Sequence, residues 1–342
     1  MVTPILTAAA TASSFPHGKS VLTIRPFSSK VDSSNLLELC KDVWDGTDYL
    51  PKVAPLFEAD PSCDFIIMED EEGTMVAAGN RRNFDKEGSI IWIEAVRVST
   101  QFKGRGFATV LMKELICRSR NNGTLEILSC TVQENHAMHK VFGRVEMNLI
   151  NTVEWLDFAA MTSLPGWAST DVDRNADNLL RALGVEHLIS DDVKMDSWLA
   201  VESEEELKEL LLIIKSEGGI GELPGLGKLL WSSEHLTESL KRGLVLRKAH
   251  IGPSASAVVA LVKDSAIQSL KSKYVCSIAA TNSRDFESAL WHVCADQFTV
   301  DLEHNNPAFT VAFDGSITVS PALMNSLPVQ KDNPFVIYKR KL

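Results

Sequence analysis

The stretch Glu94-Ala-Val-Arg97-Val98-Ser-Thr-Gln-Phe-Lys103-Gly104-Arg105-Gly106-Phe107-Ala108 decides how this chain is read. It joins an extended apolar run, beginning at Ile90, to a glycine-rich turn. An amphipathic helix opens immediately behind the turn, with Phe107, Val110, Leu111 and Leu115 at helical spacing. Glycines let backbone come close to an anion, and the N–H groups of a first helical turn point toward it, so this is the layout of an anion cradle. Spacing excludes two familiar phosphate motifs. A P-loop needs four residues between its first glycine and a Gly-Lys-Ser/Thr, and the dinucleotide fingerprint needs a third glycine and an acidic residue about twenty positions on.

Working outward, Val21 to Pro26 reads as a first strand and residues 35–43 as a helix. Phe65 to Met68 and Met75 to Ala78 form a hairpin turning at Glu72-Gly73. Ile90 to Val98 is the next strand, the helix behind the cradle runs to Arg120, and Glu126 to Thr131 is a further strand. Lys103-Gly-Arg-Gly106-Phe-Ala108 resembles motif A of the GNAT-type acetyltransferases, Arg/Gln-x-x-Gly-x-Gly/Ala. Lys103 replaces the usual Arg or Gln, and Thr100 stands where Pro is common. Asn135-His-Ala-Met138-His-Lys-Val-Phe142 resembles motif B, with Phe142 at the position of a Tyr. Outside these shared motifs, Trp44-Asp-Gly-Thr-Asp48-Tyr49-Leu50-Pro51 and Leu290-Trp291-His292 resemble segments of the vertebrate histidine N-acetyltransferases and their relatives.

The resemblance implies an α/β chain with a mixed sheet, the GNAT acyl-CoA N-acyltransferase fold. It is dense in the first half and thin in the second. It also implies acetyl-CoA as co-substrate. Lys103, Gly104, Arg105, Gly106, Phe107, Ala108 and Thr109 would then meet its pyrophosphate. Val96, Arg97 and Val98 would lend backbone to thioester and pantetheine, and Asn135 and Phe142 would face the pantetheine arm.

Glu94 is the only charged residue within Ile90 to Val96, and period-two alternation puts it on the same face as Val96. Apolar surroundings would raise its pKa and suit it to take the acceptor's proton; pairing with Arg81, Arg82 or Arg97 is the structural alternative. Phe142 has no hydroxyl, so water or another hydroxyl must protonate the leaving thiolate; Tyr49 is the candidate hydroxyl, or else a packed aromatic. Asp48 would hold a substrate ammonium or imidazole, or cap a turn. Arg81, with Arg82, would clamp a substrate carboxylate, or be solvated. His136 and His139 share a helix face without a complementary ligand set, so no metal is expected. No Gly-x-Ser-x-Gly or Cys/His arrangement argues for a covalent enzyme intermediate, which leaves direct attack of the amine.

The formal charge of −11 is spread over 342 residues without a basic stripe, which argues against nucleic acid or an anionic membrane as partner. No apolar stretch approaches the ~20 residues that span a bilayer. Six cysteines form no C-x-x-C pair and read as core residues of a reducing, cytoplasmic compartment. Residues 1–20, rich in Ala, Ser and Thr but lacking Arg, read as a flexible tail rather than an organelle transit peptide. Pro165-Gly166 then separates a catalytic domain, 21–165, from a second domain, 170–342. In that second half Asp173 caps a helix to Leu183, and Ser203 to Glu206 is a capping box. Three strands, a helix from Asp285 and closing strands follow. Helices, three strands, a helix and strands repeat the order of the first half without its glycine cradle, as in a degenerate second GNAT-like domain. The expected activity is acetyl transfer to the amine of a small molecule, with free histidine leading. The alternatives are a protein N-terminal or lysine acetyltransferase and a non-catalytic acyl-CoA-binding module.

Overall fold

The computed structural model describes residues 13–17, 20–84, 88–157, 196–216, 237, 239–248, 257–263, 274–293, 309–314, 317, 319, 330–331 and 334–342. The chain divides into two units. Unit 1 comprises Met1–Cys130, Asn135–Leu149 and Tyr338–Leu342; unit 2 comprises Thr131–Glu134 and Ile150–Ile337. The sequence places the domain change at Pro165-Gly166, outside the described residues.

In unit 1 the elements run β1 (Ser13–His17), β2 (Ser20–Pro26), α1 (Ser29–Cys40), α2 (Leu50–Ala59), β3 (Cys63–Glu69), β4 (Met75–Asn83), β5 (Ile90–Val98), α3 (Phe107–Asn121), β6 (Glu126–Val132) and α4 (His136–Arg144). Strands β1 to β5 pair antiparallel in sequence order, and β6 joins β5 in parallel after the α3 crossover. Two differences from the sequence reading have plain causes. Residues 13–17, expected in a flexible tail over 1–20, form a strand on the edge of β2, whose backbone groups would otherwise lack partners there. Helix α1 begins at Ser29 rather than Asn35, because its polar first turns hide the apolar period. Asp32 accepts the Ser28 N–H at 2.8 Å and binds Arg25 at 2.8 Å, fixing the start of the helix.

Each face of this sheet has its own core. Ile66, Ile91, Ile93, Leu111, Leu115 and Phe142 pack on the α3 and α4 side; Leu36, Leu50, Phe57, Phe65, Ile67 and Ala95 pack on the α1 and α2 side. Helix α3 comes close to β4 because Gly79 has no side chain. A Cβ there would stand 3.1 Å from Leu111 and 3.2 Å from Leu115.

Unit 2 takes up β7 (Asn148–Asp157) from Ile150, then β8 (Trp198–Ala200), α5 (Glu204–Ser216), β9 (Val245–Lys248), β10 (Ala257–Lys263), β11 (Tyr274–Ala280), α6 (Ser283–His292), β12 (Phe309–Asp314) and β13 (Gln330–Lys331). Strands β8 to β11 are successively antiparallel, and β12 joins β11 in parallel after α6. That is the order and sense of β2 to β6 in unit 1. Ser203 Oγ accepts the Glu206 N–H at 3.1 Å as the capping box requires, but the Glu206 carboxylate reaches Glu202 N–H instead of Ser203. The helix read from Asp173 to Leu183 lies outside the described residues.

The last strand, β14 (Phe335–Lys341), returns the chain to unit 1. Leu342 N–H donates to Leu125 O at 2.8 Å, the Tyr338 ring lies 4.4 Å from that of Phe142, and its hydroxyl shares a 2.8 Å hydrogen bond with His139 Nδ1. Tyr338→Ala is therefore expected to destabilise unit 1 by about 2 kcal/mol, read as an earlier urea midpoint. A midpoint within error of the native one would detach these residues from the unit's stability.

Candidate active site

The cradle is built from two residues in left-handed conformation, Gly104 at φ 78° and Gly106 at φ 87°. A side chain at either would be strained, which is why glycine stands there. Gly106 is the N-cap of α3, and no side chain caps that helix. Close behind, Thr109 Oγ1 is buried with no hydrogen-bond partner among the described residues. A helix start of this kind, with an unmet hydroxyl in its first turn, fits an anion. The topologically matching helix in unit 2 is finished differently. Asn282 caps α6 by accepting the Asp285 N–H at 3.0 Å, and the Asp285 carboxylate is held by Lys248 at 2.8 Å, Thr281 at 2.9 Å and Asn282 at 2.7 Å. That helix start already carries its own negative charge.

Next to the cradle the sheet opens. The β5–β6 ladder runs from Ile90↔Glu126 to Ile93↔Ser129 and stops there, where Ser129 Oγ donates to Ile93 O at 2.8 Å. One residue later β5 bulges. Ala78 pairs with Arg97 and Asn80 with Glu94, so Gly79 alone faces Ala95 and Val96, and Ala95 takes φ 56°. The bulge overturns the expected alternation. Ala95 packs with the α1 and α2 core while Val96 packs with the α3 core, so Glu94 and Val96 point to opposite faces.

Charged side chains on β5 are paired rather than lone. Arg82 Nε lies 2.6 Å from Glu94 Oε1, Arg82 Nη2 donates to Oε2 at 3.0 Å, and Asn80 Nδ2 donates to Oε1 at 3.0 Å. The expectation of a solitary carboxylate amid apolar groups is thus corrected: Glu94 has a guanidinium partner. Burial opposes the charge on Arg82, but Glu94 outweighs it and raises the Arg82 pKa. Beyond the bulge, Arg97 donates from Nε to Asp48 Oδ2 at 2.7 Å and from Nη2 to Oδ1 at 3.1 Å, and Oδ1 also accepts the Leu50 N–H at 3.1 Å. Asp48 is therefore a buried anchor for the loop before α2. Its burial raises its pKa, yet the Arg97 bonds bring it below the ordinary carboxylate value. Tyr49 follows at the start of α2, its ring 5.6 Å from the Arg97 guanidinium. Burial first, against the pull of Arg97, pushes its hydroxyl up to about 12, so it stays protonated at neutral pH and senses Glu94 and Cys130.

The sequence model of the Acetyltransferase (GNAT) family matches residues 34–146, the span that carries this cradle and bulge. The chain contains a GNAT acetyltransferase domain. Among solved structures it is similar to a GCN5-related N-acetyltransferase from Sphaerobacter thermophilus at 13% identity and TM-score 0.54, covering 94% of this chain and 95% of that one. It is similar at 10% identity and TM-score 0.54 to the GCN5-related glucosamine N-acetyltransferase region of a fungal multi-domain GH3 beta-N-acetylglucosaminidase, covering 98% of this chain and 38% of that one. At such identities the likeness is one of fold, and it extends over both units. No curated protein matches the chain.

Other residues singled out from the sequence have partners of their own. Arg81 Nε bonds Asp64 at 3.2 Å, on the side where Arg118 also approaches that carboxylate, so it faces away from Glu94. Asn135 caps α4 by accepting the Met138 N–H at 3.1 Å, and Phe142 is fully buried in the α3 core. Sequence reasoning passed over Asn80, Ser129 and Tyr338. Asn80 and Arg82 alternate on β4, which signals a shared face, whereas nothing local marks Tyr338. Burial pushes the Cys40 and Cys130 thiols up to about 12, which makes them poor nucleophiles.

Breaking the Asp48–Arg97 pair leaves a buried charge, so Arg97→Ala is expected to cost about 3–5 kcal/mol at pH 7 by urea denaturation. Because Asp48 is depressed in the fold, its contribution is present above its unfolded value of about 4 and fades as pH falls through the lower folded value. Asp48→Asn should flatten that acid limb; an unchanged limb would assign it to other carboxylates.

Proposed function

We propose that the chain is an acetyl-CoA-dependent N-acetyltransferase acting on the amine of a small molecule, a free amino acid with histidine first. The observation that carries this reading is the uncapped start of α3, with Gly104, Gly106 and the unmet Thr109 hydroxyl, beside a bulged strand that parts from its neighbour. Lys103, Arg105 and the backbone from Gly106 to Thr109 would hold the pyrophosphate. Backbone at Val96 and Val98 would receive thioester and pantetheine. The bulge supports the first of these roles, since an extra residue takes backbone groups out of the β4 ladder and frees them to meet the developing oxyanion.

In the reaction the amine nitrogen attacks the thioester carbon, a C–N bond forms, and the C–S bond breaks. The amine's proton passes to the Glu94 carboxylate, directly or through water. The sulfur leaves as thiolate and takes the proton of the Tyr49 hydroxyl, which burial keeps neutral and protonated at neutral pH; the tyrosinate regains a proton from solvent as the products leave. Phe142, buried and without a hydroxyl, favours a second reading as an acyl-CoA-binding module without turnover.

Acetyl-CoA consumption against free amino acids, short peptides and polyamines, read as released thiol, separates these readings. Turnover confined to amino acids supports the proposal, while acetyl-CoA binding without turnover of any amine supports the second. Glu94→Gln is expected to lower kcat by about 10²–10³-fold, with the KM for acetyl-CoA changed little. A native kcat in that variant would remove Glu94 from the chemistry. Calorimetry should find one acetyl-CoA per chain, because α6 in unit 2 is capped and carries Asp285; two equivalent sites would contradict that account.

A further inference from the structure

Arg82 has no task in the transfer step, yet it is more deeply buried than a guanidinium on a sheet surface need be. Its side chain is 10% exposed and that of Glu94 8%. A buried ion pair is seldom a net gain in stability over apolar residues of similar size, so its presence beside the reaction centre asks for a use. The Phe57 ring lies 5.6 Å from the guanidinium, and Cys63 Sγ, at 3.6 Å from Asn80 Nδ2, closes the same side. A second observation points to a ligand. Asn80 is wholly buried, and its Oδ1 has no hydrogen-bond partner among the described residues. The amide cannot be turned over to relieve this, because its Nδ2 faces the Glu94 carboxylate, where an oxygen would be repelled. An unmet buried acceptor therefore stands beside an anion. Together they ask for a donor with several protons, as an ammonium is.

We propose that Arg82 is the specificity-determining residue that reads a carboxylate next to the acceptor's amine. The proposal rests on the acetyltransferase reading above and deepens it. As the acceptor enters, its ammonium takes Glu94 and Asn80 Oδ1, and Arg82 exchanges one of its contacts with Glu94 for the acceptor's carboxylate. Each of the four charges then keeps an opposite neighbour, so no buried charge is left alone. Only Nη2 donates to Glu94; Nε lies 2.6 Å from Oε1 yet is buried without a hydrogen-bond partner among the described residues, so the planar fork that suits a carboxylate is only half used. A polyamine would bring a second cation to Arg82 without an anion. An amide or ester would leave the guanidinium short of a partner.

The test compares a free amino acid with its amide and methyl ester, in the native protein and in Arg82→Gln and Arg82→Lys, with acetyl-CoA turnover measured for each. The native protein is expected to prefer the free acid by about 10²-fold in kcat/KM. In Arg82→Gln the KM for the acid should rise by about that factor while the KM for acetyl-CoA holds, and the preference over the amide should vanish. Arg82→Lys should restore part of it. Should Arg82→Gln fail to fold with Glu94 unpaired, the double variant Arg82→Gln/Glu94→Gln removes both charges. Calorimetric binding of the free acid and its amide then replaces turnover, and equal affinities are expected. Equal use of acid and amide by the native protein overturns the role of Arg82 and leaves the acetyltransferase reading intact. A preference that survives Arg82→Gln, or in the double variant's binding, does the same. Acetyl-CoA binding with no amine acetylated overturns both.

Discussion

One extra residue in β5 organises this site. Without the bulge at Ala95, strict alternation would carry Glu94 and Val96 to one face and keep the backbone between them in the ladder with β4. With it, the strand turns by a residue, the ladder skips at Gly79, and polar and apolar side chains separate. The left-handed φ at Ala95 is strained for a residue with a Cβ, and strain of this kind costs on the order of 1–3 kcal/mol. It is held in place by cores on both faces of the sheet and by Gly79, which keeps Leu111 and Leu115 of α3 close to the bulge.

Two ion pairs flank that bulge and use the same chemistry for different ends. Asp48 and Arg97 are joined through both carboxylate oxygens, and Asp48 also caps the Leu50 N–H, so the pair ties the loop before α2 to β5. Tyr49 is carried to its place by this tie. Glu94 and Arg82 make an equally short contact, but their neighbour Asn80 keeps an unmet acceptor. The first pair is complete in itself; the second has room in its hydrogen-bonding for something more.

The two units share an order of strands and differ at one helix start. In unit 1 two left-handed glycines lead into an uncapped helix, while in unit 2 Asn282 and Asp285 finish the helix from within. The contrast follows from the electrostatics of a helix N-terminus, which is satisfied by a bound anion or by a carboxylate of its own. The chain also closes on itself, since Tyr338 and Leu342 complete the sheet and core of unit 1 from the far end of the sequence.

By itself the sequence determined the order from β3 to β6, the glycine cradle and the family likeness, because each rests on local periodicity and on conformations only glycine adopts with ease, whereas β1 and α2 carried no such signal. It also singled out Glu94, Asp48 and Tyr49 as candidate site residues. What those residues do was decided by tertiary structure. Arg97 lies 49 positions from Asp48, and Tyr338 lies far beyond His139 and Phe142, so no local pattern joins them. The face of Glu94 depended on a bulge that a period-two reading does not contain, and its partner depended on the register of β4. Pairing between distant charges is a property of the folded sheet, where burial makes an unpaired charge too costly to leave alone.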